Sequence, residues 1–161
     1  MIEEPATNNQ KAHLLNSVDD SASTVASSPQ VRILTLNFFL RPLFIVTNGN
    51  DYKSERLNYF LEHYMKDFDV ICFQEVFELH NMRKYELIEQ AEKLGFAYHC
   101  NSPAPGFFTQ FICDGGLLIV SKFPITENYF HLYETPAASD DAMSMKGCLY
   151  AKIDLTKIGG H

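Results

Sequence analysis

No apolar run in this chain approaches the ~18–20 residues needed to cross a bilayer. The first thirty residues lack the basic start and apolar core of a signal peptide, so the sequence is expected to be cytoplasmic or peripheral to a membrane. Basic residues are the scarcer charge: 13 Lys and Arg stand against 20 Asp and Glu, a net charge of −7. That balance argues against a general nucleic-acid binder, whose affinity comes from cations neutralising phosphates. A divalent cation held by carboxylates can reverse the sign locally, so phosphate chemistry stays open. The four cysteines form no CxxC pair and no zinc-like spacing. Cys72 sits inside an apolar run and reads as a reduced core thiol. Walker loop, HExxH and GxSxG motifs are absent, as are internal repeats, and His13, His63, His80, His99 and His131 show no metal-ligand spacing.

What is present suits one domain with a real core: 161 residues, 46% of them hydrophobic. Residues 1–29 are rich in Ser, Asn, Ala and Asp without periodicity and read as a disordered polar tail, leaving 30–161 as the ordered domain. Order begins with a strand over Val31–Leu36, ending at Asn37, followed by an apolar, turn-rich connection from Phe38 to Asn50. Leu57, Phe60, Leu61, Tyr64 and Met65 fall on one face of a helix over Tyr52–Lys66. A short apolar strand follows over Asp69–Phe73, and a second helix over Asn81–Leu94 stops at Gly95. Phe96–His99, Gly116–Ser121, Glu127–Tyr133 and Gly147–Leu155 read as further strands, with a loop of small and acidic residues over Glu134–Met145. The class is α/β.

A strand, helix and strand in series form a crossover with parallel strands, so the ends of the first two strands share one sheet edge. Ligands in open α/β sheets bind at that edge. Asn37 and Glu75 would therefore converge on one site. A single carboxylate with a neutral amide suits Mg²⁺, which keeps several waters and takes substrate oxygens. In Asp114-Gly115-Gly116 the glycines allow close backbone approach while Asp114 adds a carboxylate, and Lys146 before Gly147 would offset phosphate charge. Each of these residues also has an ordinary reading as a turn former or solvated surface group.

Taken in order, Leu36-Asn37, Gln74-Glu75-Val76-Phe77-Glu78, Asp114 through Ile125, and Met145-Lys146-Gly147 through Ile153 resemble the endonuclease/exonuclease/phosphatase superfamily, within it the neutral sphingomyelinases of the sphingomyelinase C type. The resemblance covers about Val31–Ile153. It implies a four-layer αββα sandwich, represented here by its N-terminal half, and Mg²⁺- or other divalent-cation-dependent phosphodiester hydrolysis. By that resemblance Glu75 would be the central metal ligand and Asn37 its catalytic neighbour. Asp114 would belong to a second metal site, with Cys113 standing where a first acid is expected, and Lys146 would contact phosphate. The family's catalytic His and Asp-x-Asn are missing from this chain, and His161 follows a Gly-Gly turn rather than the expected strand.

The resulting expectation is a fragment of a phosphocholine-releasing sphingomyelin phosphodiesterase, inactive as this chain, whose partner is a phospholipid at a membrane surface. One alternative is a nuclease or inositol-phosphate phosphatase of the same superfamily. Another is a non-catalytic lipid- or partner-binding fragment, with Phe107, Phe108 and Phe111 dipping into a lipid interface.

Overall fold

The computed structural model describes residues 29–42, 51–79, 82–134, 143–156 and 158. The expected polar tail up to residue 28, most of the Phe38–Asn50 connection, most of the Glu134–Met145 loop and His161 lie outside the described residues. The element order is β1 (Ile33–Leu40), α1 (Lys53–His63), β2 (Val70–Val76), α2 (Arg83–Lys93), β3 (Tyr98–Asn101), β4 (Leu118–Ser121), β5 (Ile125–Leu132) and β6 (Gly147–Ile153). A 3₁₀ turn over Met65–Asp67 follows α1. Among the described residues, no helix is long and apolar enough to cross a membrane.

β1 and β2 pair in parallel from Ile33 opposite Val70 to Asn37 opposite Gln74, as the strand–helix–strand order requires. The main sheet runs β1-β2-β4-β3. β4 is antiparallel to both of its neighbours, so β3 points the same way as β1 and β2. The exits of these three strands therefore lie on one edge.

The two sheet faces are covered differently. Ile71, Phe73, Leu118 and Val120 face the helical layer, where Leu57, Phe60, Leu87 and Ala91 close a core with Phe38 and Phe96. Phe38, Phe60 and Phe73 pack as an aromatic trio with centroids 5.1, 5.5 and 5.8 Å apart. Such pairs add about 0.5–1.5 kcal/mol each beyond their buried area. Tyr64, placed inward by the helical spacing, is instead 48% exposed, whereas Met65 keeps its inward place in the 3₁₀ turn after α1. On the other face, Val70, Cys100 and Ile119 meet Ile125, Leu149, Ala151 and Ile153 of the antiparallel β5–β6 ribbon. The four cysteines are free, but Cys72, expected in the core, is only partly buried and Cys148 is exposed; burial and the neighbouring Cys72 push the buried Cys100 thiol up to about 11.

Two strands run further than the sequence suggests. β1 passes through Asn37 to Leu40, and β2 passes through Glu75 to Val76. Pairing resumes at Leu40 opposite Val76 after a shift in register, and both of these side chains are fully buried. That burial is what carries the pairing past the irregularity.

Where the strand exits meet α2, one ion pair is sealed inside the protein. Lys84 and Asp114 are each 1% exposed, with Nζ 3.0 Å from Asp114 Oδ2. The same oxygen accepts from Ser102 Oγ at 3.1 Å and Gly116 N–H at 3.3 Å, while Oδ1 accepts from Glu78 N–H at 3.0 Å. Lys84 also reaches Glu78 Oε2 at 3.5 Å, and the Tyr85 hydroxyl donates to Glu78 Oε1. One carboxylate thus ties together α2, the chain after β2, the end of β3 and the approach to β4.

At the opposite edge, Asp69 accepts from Arg32 N–H at 2.8 Å and from Lys122 Nζ at 3.3 Å. Burial alone would push its carboxyl up, but these donors and the Arg32 and Lys122 charges together hold it below the usual carboxylate range.

Two outcomes follow for unfolding. Lys84→Met strands a buried carboxylate and should cost about 3–5 kcal/mol by urea denaturation. Adding Asp114→Asn, which removes the second charge but keeps an acceptor for Glu78 N–H, should recover part of that loss. A cost below about 1 kcal/mol for Lys84→Met would mean that the pair is not holding the edge together. The Asp69 contribution is present above the ordinary carboxylate pKa of about 4 and is lost as pH falls through its lowered folded value. Asp69→Asn should therefore flatten the acid limb of the stability–pH curve, and an unchanged limb would exclude Asp69 as its source.

Candidate active site

Asn37 and Glu75 meet across the parallel pair, with Asn37 Nδ2 donating to Glu75 Oε1 at 2.8 Å. The local backbone on both sides is unusual. Glu75 and Phe39 each take left-handed conformations, both with φ of 57°. A non-glycine residue held there costs on the order of 1–3 kcal/mol and persists only where its surroundings over-determine it.

Those surroundings are identifiable. The Asn37 side-chain oxygen Oδ1 accepts from Phe39 N–H at 3.1 Å, a short-range bond that fixes the amide and the bend together. Arg56 of α1 clamps the same bend, donating to Phe38 O at 2.8 Å and Phe39 O at 3.2 Å. On the Glu75 side, Gln74 Nε2 donates to Thr35 Oγ1 and Cys72 O, and Val76 N–H donates to Gly116 O at 2.8 Å. Gly116 itself has φ of 67°, and a Cβ there would come within 2.8 Å of the Phe77 ring. Its lack of a side chain lets Phe77 seat and lets β4 approach the Glu75 turn.

The result is a carboxylate aimed out of the edge with one oxygen in use. Glu75 Oε2 is buried and has no hydrogen-bond partner. Its nearest cation is Arg41, with Nε at 3.7 Å, and the Arg41 guanidinium lies 3.9 Å above the Phe39 ring. A buried anionic oxygen without a donor is a ready ligand for a hard cation, and the adjacent amide is the companion donor type Mg²⁺ accepts. The pair therefore offers one carboxylate oxygen of the type a divalent ion takes, while both ends of the Asn37 amide are already hydrogen-bonded. Among the described residues, no three His, Cys, Asp or Glu side chains cluster to hold a metal by themselves. Beside Asn37 opens a mostly apolar cleft of about 520 Å³, walled by Tyr52, Glu55, Tyr59 and Tyr64 of the α1 region.

The other two expected residues sit elsewhere. Asp114 is saturated by Lys84, Ser102 and two backbone N–H groups, so neither oxygen is left open for a second metal. The Asp-Gly-Gly signal marked a close backbone approach at Gly116 but not the internal ammonium that Asp114 binds. Lys146 lies at the turn before β6, where its charge draws the Cys113 thiol down against the larger upward pull of burial. Arg41 and Arg56 were missed altogether. For Arg56, a cation one turn into α1 was the available signal. For Arg41, it was a cation four residues beyond Asn37.

No protein-family model matches the chain. It is 39% identical over 113 residues to a sphingomyelinase of Dictyostelium discoideum, covering 70% of this chain and 24% of that protein. A sphingomyelinase C of Leptospira interrogans is 29% identical over 141 residues, covering 83% of this chain and 25% of that one. Beta toxin of Staphylococcus aureus, solved as a variant with bound magnesium ions, superposes with a TM-score of 0.62 at 25% identity, over 80% of this chain and 46% of the toxin. The chain therefore spans about a quarter of the two curated relatives and just under half of the solved toxin. Its helical layer, central sheet and β5–β6 ribbon are the N-terminal half of the αββα architecture. The chain is sphingomyelinase C-like in both sequence and fold.

Proposed function

We propose that this chain supplies part of the active site of a divalent-cation-dependent phosphodiesterase that hydrolyses sphingomyelin, releasing phosphocholine and leaving ceramide. The observation that carries this reading is the Asn37–Glu75 contact, with a buried, donor-free Glu75 oxygen held out of a strained strand end. The sphingomyelinase and magnesium-bound relatives support the same substrate and ion.

In this reading Glu75 is the metal-holding carboxylate. When bound, the divalent ion supplies Lewis-acid polarisation of a phosphoryl oxygen. Asn37 orients Glu75 through its amide nitrogen, and its own amide is fixed by Phe39 N–H, so the pair needs no reorganisation on binding substrate. Arg41, steadied over Phe39, is the cation nearest to Glu75 and would face an incoming phosphate. Asp114 acts at a distance by holding the chain that follows Glu75, and Lys146 remains a phosphate contact only if the turn before β6 moves toward the pair.

The test is phosphocholine release from sphingomyelin by the full-length protein that carries this chain. Activity should require Mg²⁺ and be abolished by EDTA. Glu75→Gln, which keeps the side-chain size and an acceptor for Asn37, should lower kcat/KM by at least about 10²-fold. Preferred turnover of abasic DNA or inositol phosphates would move the enzyme to another branch of the superfamily. Full activity in Glu75→Gln would remove the proposed metal ligand.

A further inference from the structure

The segment from Asn101 to Cys113 contains no charged residue. At its tip Phe107 is 93% exposed, Phe108 is fully exposed, and Ile112 is half-exposed further along. Soluble surfaces rarely present adjacent bare aromatic rings without a use for them. The loop is not a loose strap. Ser102, wholly buried, donates from its backbone to Leu117 O at 3.0 Å and from its hydroxyl to Asp114. Ile112 N–H donates to Met143 O at 2.7 Å, and Met145 N–H to Cys113 O at 3.1 Å. At the tip, Phe108 adopts φ of 90°, the left-handed region that a bulky residue avoids, which turns its ring outward. Both feet of the loop are thus pinned and its apolar tip is held in water.

Its position follows from the topology. β3 is parallel to β1 and β2, so the loop leaving β3 rises from the same sheet edge as Asn37 and Glu75. We propose that Phe107 and Phe108 form an interfacial prong that docks this edge onto a zwitterionic phospholipid bilayer. Aromatic rings favour the headgroup–acyl boundary, and the loop offers no Lys or Arg for anionic lipid. The chain's net charge of −7 would oppose an anionic surface as well. Docking is measured by binding without turnover, and so can fail or hold independently of the phosphodiester chemistry.

Sedimentation with phosphatidylcholine–sphingomyelin vesicles tests it. The chain should bind saturably, with little change between about 0.1 M and 1 M salt, where the screening length falls from about 10 to about 3 Å. The paired Phe107→Ser and Phe108→Ser change should weaken binding by at least about 10-fold while leaving far-ultraviolet circular dichroism unchanged. A separate Phe107→Trp variant should show fluorescence quenched by brominated phosphatidylcholine. Three outcomes would overturn the proposal: vesicle binding unaffected by the serine changes, binding confined to anionic vesicles and lost in high salt, or sedimentation without vesicles that the serine changes abolish. The last would assign the prong to self-association.

Discussion

A lysine ammonium inside a protein is tolerated only where an anion and further hydrogen bonds replace the water it has lost. In this chain Asp114 meets that requirement for Lys84, and much of the site-bearing edge of the sheet is arranged around the pair. The donors that converge on Asp114 come from four places in the sequence: α2, the chain after β2, the end of β3 and the entrance to β4. Each supplies a group that would otherwise be buried without a partner, so a shift in one leaves the others short of a bond. This coupling makes the edge behave as one rigid unit although it is assembled from loops.

The rigidity is what allows strain beside it. Glu75 and Phe39 sit in left-handed backbone on neighbouring strands, and neither is a residue that chooses that conformation. Arg56 holds the Phe39 side through two carbonyls, while Gly116 and the ring of Phe77 hold the Glu75 side. Glu78 N–H, bound to Asp114, fixes the chain three residues past Glu75. Beneath both bends lies the Phe38–Phe60–Phe73 trio, which cannot follow a backbone movement without opening a void. The carboxylate and amide that face each other across β1 and β2 are therefore held in place by buried packing as much as by their own hydrogen bond.

The parallel β1–α1–β2 unit was legible because it depends on periodicity and on a chirality rule that few folds break. The same rule brought Asn37 and Glu75 together before any coordinates, and the two do touch. The strand ends were not legible. A one-residue irregularity leaves no mark in a hydrophobic pattern, so Asn37 and Glu75 read as residues beyond their strands rather than inside them. Asp114 exposed a different limit. An Asp-Gly-Gly turn announces a carboxylate and a close approach, but what approaches depends on a helix thirty residues earlier. Lys84 looks like any other charged residue in the polar-rich stretch around it, and nothing local says that it points inward.

The carboxylates at the two sheet edges differ chiefly in how tightly their charge is already balanced. Asp114 has an ammonium at 3.0 Å and three further donors, and its side chain is sealed from water. Asp69 has Lys122 at 3.3 Å and a backbone N–H at 2.8 Å. Glu75 has one amide donor, one oxygen without a hydrogen bond, and a guanidinium that stops at 3.7 Å. Attraction falls with distance, and a hard dication approaches a carboxylate oxygen to about 2 Å. An incoming ion would have to displace Lys84 and break a buried network to reach Asp114. At Glu75 it would meet an oxygen that accepts no hydrogen bond and is paired only at 3.7 Å with Arg41. The internal lysine thus leaves Asp114 sealed in its own network, while Glu75 keeps one oxygen without a hydrogen bond.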